Sequence, residues 1–270
     1  MASTADAALG RARAHARRAR TPQDIAAITG CLVLVVGAEV LFLLFGLVAG
    51  TVAGLVAVAA LVAIGTLARE HLRGRAAIAL AVVPLLRVLS IAIPSLLVPS
   101  WIWYAEIGVP VLAATVLAAV VAGITPTALG IRPAPVLVIL VATAIGLGLG
   151  LLAYLLVRPE AAPSNRSPVT FLGAAIAIVI GGALTEELLF RGLIQQIADE
   201  VTSGYGVLAS AALCTLMYVA SGNIRYVLFM AAVSVGLGLL TRRYRSIVPA
   251  VACHGLLLWS QLILWPILLG

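Results

Sequence analysis

The run Ile25-Ala-Ala-Ile-Thr-Gly-Cys-Leu-Val-Leu-Val-Val-Gly-Ala-Glu39-Val-Leu-Phe-Leu-Leu-Phe-Gly46 contains one ionisable residue, Glu39. Coiled into a helix rising about 1.5 Å per residue, a run of this length crosses the roughly 30 Å hydrocarbon core of a bilayer. Comparable apolar runs follow near 48–68, 76–98, 107–124, 135–157, 170–190, 206–222, 226–240 and 247–267. The pattern predicts an all-α polytopic transmembrane bundle of about eight or nine spans. The last two short runs, around Gly222, also suit a re-entrant pair. Composition agrees: of 270 residues, 63% are hydrophobic and 10% charged, with a mean hydropathy of +1.18, too little polar surface to coat a water-soluble globule. Residues 1–24 read as a basic cytoplasmic arm, and residues 25–270 as one integral domain.

A net charge of +7 would suggest nucleic acid in a soluble protein, but here the cations sit between apolar spans and set topology. No nucleic-acid partner is expected; the lipid bilayer is the surrounding partner. All 17 basic residues are Arg. They gather in the arm (Arg11, Arg13, Arg17, Arg18, Arg20), between Arg69 and Arg75, at Arg132, and at Arg242, Arg243 and Arg245; with nine spans these fall on one side. The positive-inside rule makes that side cytoplasmic, giving a multi-pass plasma-membrane protein with its N-terminus inside. Trp101, Trp103 and Tyr104 then mark the outer interface. Cys31, Cys214 and Cys253 lack metal-type spacing and read as small buried hydrophobes.

An ionisable group at the centre of a span costs about 2.5 to 3.5 kcal/mol on the insertion scale, so each needs a reason. Glu39 and Arg87 can neutralise one another across the bundle. The stretch Thr185-Glu186-Glu187-Leu188-Leu189-Phe190-Arg191-Gly192 is different, because one ion pair cannot account for two adjacent carboxylates. Glu187 and Arg191, four apart in the favourable order, share a helix face and can pair. Glu186 is turned about 100° away. It reads either as a desolvated carboxylate prepared as a general base or as an acid anchoring the helix end in interfacial water. His254 stands alone in the last span, with Glu186 as its obvious partner on another helix.

Glu186-Glu187-x-x-x-Arg191 at the end of an apolar helix, followed by two short spans, a basic loop and Ser246-Ile-Val-Pro-Ala-Val-Ala-Cys-His254, resembles the CPBP family of intramembrane proteases, which includes the CAAX prenyl endopeptidases. The resemblance covers a protease-like core at about 170–260, and Gly130-Ile-Arg132-Pro133 resembles a family linker. It implies an intramembrane endopeptidase acting on a membrane protein or peptide substrate. Glu186 would activate the attacking water, Glu187 and Arg191 would pair, and His254 would face the scissile carbonyl. The family's second motif places a His near Ser221, and its third an Asn at Leu258; neither is present. The alternative is therefore a catalytically inactive member serving as a scaffold or peptide-binding protein. No cofactor is expected, the remaining option being a zinc ion held by Glu186 and His254.

Overall fold

Thr21 opens the first helix by accepting from the Asp24 amide while the Asp24 carboxylate accepts from the Thr21 amide, and Pro22 supplies the fixed φ suited to a first turn. The computed structural model describes residues 21–93, 100–159 and 167–269. Most of the expected basic arm, together with Pro94, Pro99 and Arg166, lies outside them; the first helix already begins at Pro22, inside the range assigned to the arm.

The described residues form eight helices and no strand: α1 (Pro22–Leu67), α2 (Leu72–Ala92), α3 (Ser100–Val121), α4 (Val136–Val157), α5 (Pro168–Thr202), α6 (Gly206–Val219), α7 (Ile224–Tyr244) and α8 (Val248–Leu269). Seven are long and apolar enough to cross a membrane, and α6, of 14 residues, is a shorter apolar helix. The 46 residues of α1 are two spans, because Gly46 breaks the helix at φ 80°, ψ −165°, a conformation open to glycine and not to residues with a Cβ. Gly50 then returns against Phe42. The all-α polytopic bundle expected from the hydrophobic runs is what forms. Around Gly222 the chain makes two distinct helices, of which α7, with 21 residues, is a full-length span.

Large apolar side chains on the outside, such as Leu44, Phe45, Val48 and Leu137, leave 67–79% of their surface to the surroundings, as lipid-facing positions do. Inside, small residues bring backbones together. A Cβ on Gly146 of α4 would strike the Cys253 carbonyl of α8, and one on Gly108 of α3 would strike the backbone of Gly181 in α5. Two apolar cores result. One joins α1, α2 and α3 to the second half of α5; the other joins α4, α7, α8 and the first half of α5. Tyr218 packs against both.

The Arg-rich connections meet at one end of the bundle, as their spacing predicts. Arg75 binds the Ala122 carbonyl and Glu200, Arg242 binds Asp199, Arg73 reaches Asp24, and the Ser246 hydroxyl donates to the Arg132 carbonyl. The aromatic cluster lies toward the opposite end of α3, with its rings partly buried. Trp103 donates to the Ile93 carbonyl at 2.9 Å and packs on the first core, while Trp101 and Tyr104 pack on the second. Gly182 of α5 leaves room for the Tyr104 ring.

The α4–α8 contact has a direct test. Gly146→Ala should destabilise the protein by about 1–3 kcal/mol, the cost of overpacking. Gly148→Ala, whose new Cβ meets nothing within 4 Å, should be neutral or gain up to about 1 kcal/mol of helix propensity. Thermal unfolding of both variants in detergent reads the difference.

Candidate active site

Helix α5 carries three of the four expected site residues, and it is longer than the 170–190 run suggested. The polar stretch Gln195–Thr202 continues the helix because neighbouring helices at the Arg-rich end satisfy its side chains: Gln195 bonds the Gly238 carbonyl of α7, Asp199 accepts from the Gly206 amide at the start of α6, and Glu200 meets Arg75 of α2. Glu186 consequently lies near the middle of α5, 18 residues after Pro168 and 16 before Thr202, rather than near its end. Around it the helix winds loosely, with π-helical turns over Ala177–Leu184 and Leu188–Ile194 flanking the three residues Thr185–Glu187. The Thr185 hydroxyl lies 2.9 Å from the Ile180 carbonyl five residues back and 3.3 Å from the Gly108 carbonyl of α3.

Glu187 and Arg191 pair as their spacing predicts, with Arg191 Nη1 3.1 Å from Glu187 Oε1 and both side chains buried. Arg191 spends its remaining donors on the Ser234 hydroxyl at 2.9 Å, the Ser234 carbonyl at 3.2 Å and Cys214 Sγ at 3.7 Å. Cys31, Cys214 and Cys253 are buried free thiols, as expected.

His254 departs from expectation. Its Nδ1 lies 2.8 Å from Glu187 Oε1, so the histidine pairs with the second carboxylate and not with Glu186. The physical reason is shared burial: one carboxylate oxygen at the centre of the bundle serves both Arg191 and the imidazole, leaving no uncompensated charge. Glu187 Oε2 and His254 Nε2 are buried without a protein partner.

Glu186 is half-buried and accepts a hydrogen bond from the Tyr218 hydroxyl, 3.0 Å from its Oε2. Tyr226 stands edge-on to Tyr218 with ring centroids 5.8 Å apart, and Gln261 lies near its hydroxyl. Tyr104 covers Gly182 from α3. Sequence reasoning missed Tyr218, Tyr226, Ser234 and Gln261, since polar residues scattered through apolar runs carry no spacing signal. Ser221, where the family resemblance places a His, is exposed in the turn after α6 and accepts from the Asn223 amide. Leu258 is buried beside Gly182.

The donor set does not fit a catalytic zinc ion, which takes three protein ligands. Glu186 is bonded to Tyr218, His254 Nδ1 is bonded to Glu187, and the described residues hold no cluster of three His, Cys, Asp or Glu.

Glu39 and Arg87 neutralise one another as expected: Arg87 Nε lies 2.8 and 3.0 Å from the two Glu39 oxygens. The guanidinium also covers the Phe42 ring at 5.1 Å and donates to the Met217 carbonyl at 2.8 Å. It thereby holds the end of α6 that carries Tyr218.

No match is found among curated proteins or among solved structures. Residues 168–260 match the family described as Rce1-like, type II CAAX prenyl endopeptidase Rce1-like, which bears out the resemblance to the CPBP proteases over that segment. The part of this membrane protein that matches the Rce1-like protease family is the part that carries Glu186, Glu187, Arg191 and His254.

Proposed function

We propose that the protein is an intramembrane endopeptidase that hydrolyses peptide bonds of membrane-associated protein substrates with a water activated by Glu186. The observation that carries this reading is the division of labour between adjacent carboxylates. Glu187 is consumed by Arg191 and His254, whereas Glu186 meets a neutral hydroxyl, with no cation within ion-pair distance among the described residues. A carboxylate so placed can take a proton from water; the resulting hydroxide oxygen bonds to the scissile carbonyl carbon, and the carbonyl electrons move onto oxygen. Once Glu186 is protonated, the Tyr218 hydroxyl 3.0 Å from it becomes a neutral donor available to that oxyanion. Protonated Glu186 then delivers its proton to the amide nitrogen as the carbon–nitrogen bond breaks, releasing an acid and an amine. If His254 carries its proton on Nδ1 toward Glu187, its free Nε2 is an acceptor for the second water hydrogen. In this reading His254 orients the water, a role different from facing the scissile carbonyl.

A second reading, an inactive scaffold that binds membrane peptides, draws on Leu258, an apolar side chain packed at the site where the family resemblance places an amide. The two carboxylates separate the readings. Glu186→Gln should lower cleavage of a membrane-peptide library by about 10²–10⁴-fold while leaving thermal stability near wild type. Glu187→Gln should instead leave Arg191 unpaired and cost about 3–5 kcal/mol of stability, seen first as reduced detergent-extracted yield. Equal stability losses in both variants with no cleavage by the wild type would favour the scaffold.

Tyr218→Phe removes one hydrogen bond to a charged group without creating a cavity. It should reduce turnover by about tenfold to a hundredfold with little change in unfolding temperature.

The Arg-rich end, by the positive-inside rule, is the cytoplasmic face of the plasma membrane, and the N-terminus lies inside. Helix α8 starts at that end and runs away from it, so a reporter fused after Gly270 should be active only outside the cytoplasm.

A further inference from the structure

A cavity of about 320 Å³ opens at the Arg-rich end of the bundle, at the small end of the range typical of ligand clefts. It lies between the 128–132 loop, the second half of α5 and the end of α7. Its cations are unevenly matched. Arg191, on the inner wall, is spent on Glu187 and Ser234, and Arg242 is spent on Asp199 at 2.6 Å and the Gly204 carbonyl. Arg132 and Arg245 have no carboxylate within ion-pair distance among the described residues, and Arg132 donates only to the Thr127 carbonyl. The backbone brings the two segments that carry them to the same cavity: the Ser246 hydroxyl donates to the Arg132 carbonyl at 2.7 Å, and the Ile247 amide donates to the Gly130 carbonyl at 3.0 Å. Gly130, at φ 78°, lets the loop lie directly against Ile247.

Two buried polar atoms on the same wall are also unanswered. Gln195 and Thr241 are 4% and 7% exposed, and Gln195 Oε1 and Thr241 Oγ1 have no hydrogen-bond partner. The Gln195 amide nitrogen already donates to the Gly238 carbonyl at 3.2 Å, which fixes the oxygen as the free end. That oxygen accepts only, so it calls for a donor on a ligand. Thr241 can donate or accept.

Two unmatched guanidiniums beside a lone acceptor and a hydroxyl describe a ligand that is anionic and also carries hydroxyl donors. We propose that this cavity binds a phosphate ester bearing free hydroxyls, the chemistry of an anionic glycerophospholipid headgroup or of a free glycerol phosphate. Arg132 and Arg245 take the phosphate oxygens, the Thr241 hydroxyl donates to the same group, and Gln195 Oε1 accepts from a ligand hydroxyl. The position of the cavity at a membrane face makes the lipid the more concentrated source.

The test uses the full chain in zwitterionic detergent, titrated separately with phosphatidylglycerol, phosphatidylcholine and glycerol 3-phosphate, and read by thermal unfolding and native mass spectrometry. Phosphatidylglycerol should raise the unfolding temperature saturably and remain bound in the gas phase, while phosphatidylcholine should do neither. Arg245→Gln should weaken that effect by about tenfold or more, the scale of one hydrogen bond to a charged group. Thr241→Val, of nearly the same shape, should weaken it without altering the unfolding temperature of the lipid-free protein. A saturable shift with glycerol 3-phosphate as large as that with the lipid would support the site and identify a soluble ester as its ligand. Equal shifts with both lipids, or a phosphatidylglycerol effect unchanged in both variants, would overturn the proposal.

Discussion

The Arg191 guanidinium, with its side chain 2% exposed among apolar helices, imposes the central constraint on this molecule. A buried charge without compensation costs several kcal/mol, more than most membrane helices can spare. The surrounding structure meets it from three helices: Glu187 on α5 itself, Cys214 on α6 and Ser234 on α7. Those contacts fix how the three helices sit against each other. They also determine the fate of His254, because the carboxylate oxygen that neutralises Arg191 is the one the imidazole reaches from α8. One ion pair thus draws four helices to a common point, and Glu186, the next residue along, is left facing elsewhere.

A second ion pair works at longer range. Glu39 and Arg87 belong to the α1–α2 side of the bundle, away from α5, yet Arg87 extends past its partner to the Met217 carbonyl. The end of an α-helix leaves carbonyls without intrahelical partners, and in a bilayer water cannot supply the missing donors. Helix α6 is short, so this end lies within the bundle, and the guanidinium answers one of its carbonyls. Tyr218 follows immediately, its ring held between the two cores and its hydroxyl on Glu186. The pair that looks purely structural in the sequence therefore holds the residue next to the tyrosine whose hydroxyl meets the catalytic candidate.

The bilayer explains which features could be read in advance. Span number, the single Arg-rich end and the Glu187–Arg191 pair depend on composition and helix period, both local properties of the chain. Span limits were less legible: Gln195, Asp199 and Glu200 look like loop residues until the helices that satisfy them are placed. The partner of His254 depended on a choice between adjacent carboxylates on another helix, and only the shared burial of Glu187 and Arg191 decides it. The packing of Trp101, Trp103 and Tyr104 could not be read from residue type, because the glycine that admits the Tyr104 ring lies on another helix, at Gly182.

Motif spacing looks for functional groups at fixed positions, whereas a helical bundle supplies them from whichever face is near. Ser221 and Leu258 lack the groups that the family resemblance places there, and the structure meets Glu186 from elsewhere. Tyr218, one turn before Ser221, points its hydroxyl at the carboxylate; Gln261, nearly one turn after Leu258, brings an amide to Tyr226 through the π-helical turn Ser260–Leu264. The substitution has a chemical consequence. A cation beside Glu186 would hold its negative charge and weaken it as a proton acceptor, while a phenol hydroxyl orients the carboxylate without neutralising it. The site thus keeps its strongest electrostatic pairing on Glu187, where it secures the fold, and leaves Glu186 to a neutral donor, the arrangement that the proposed general base requires.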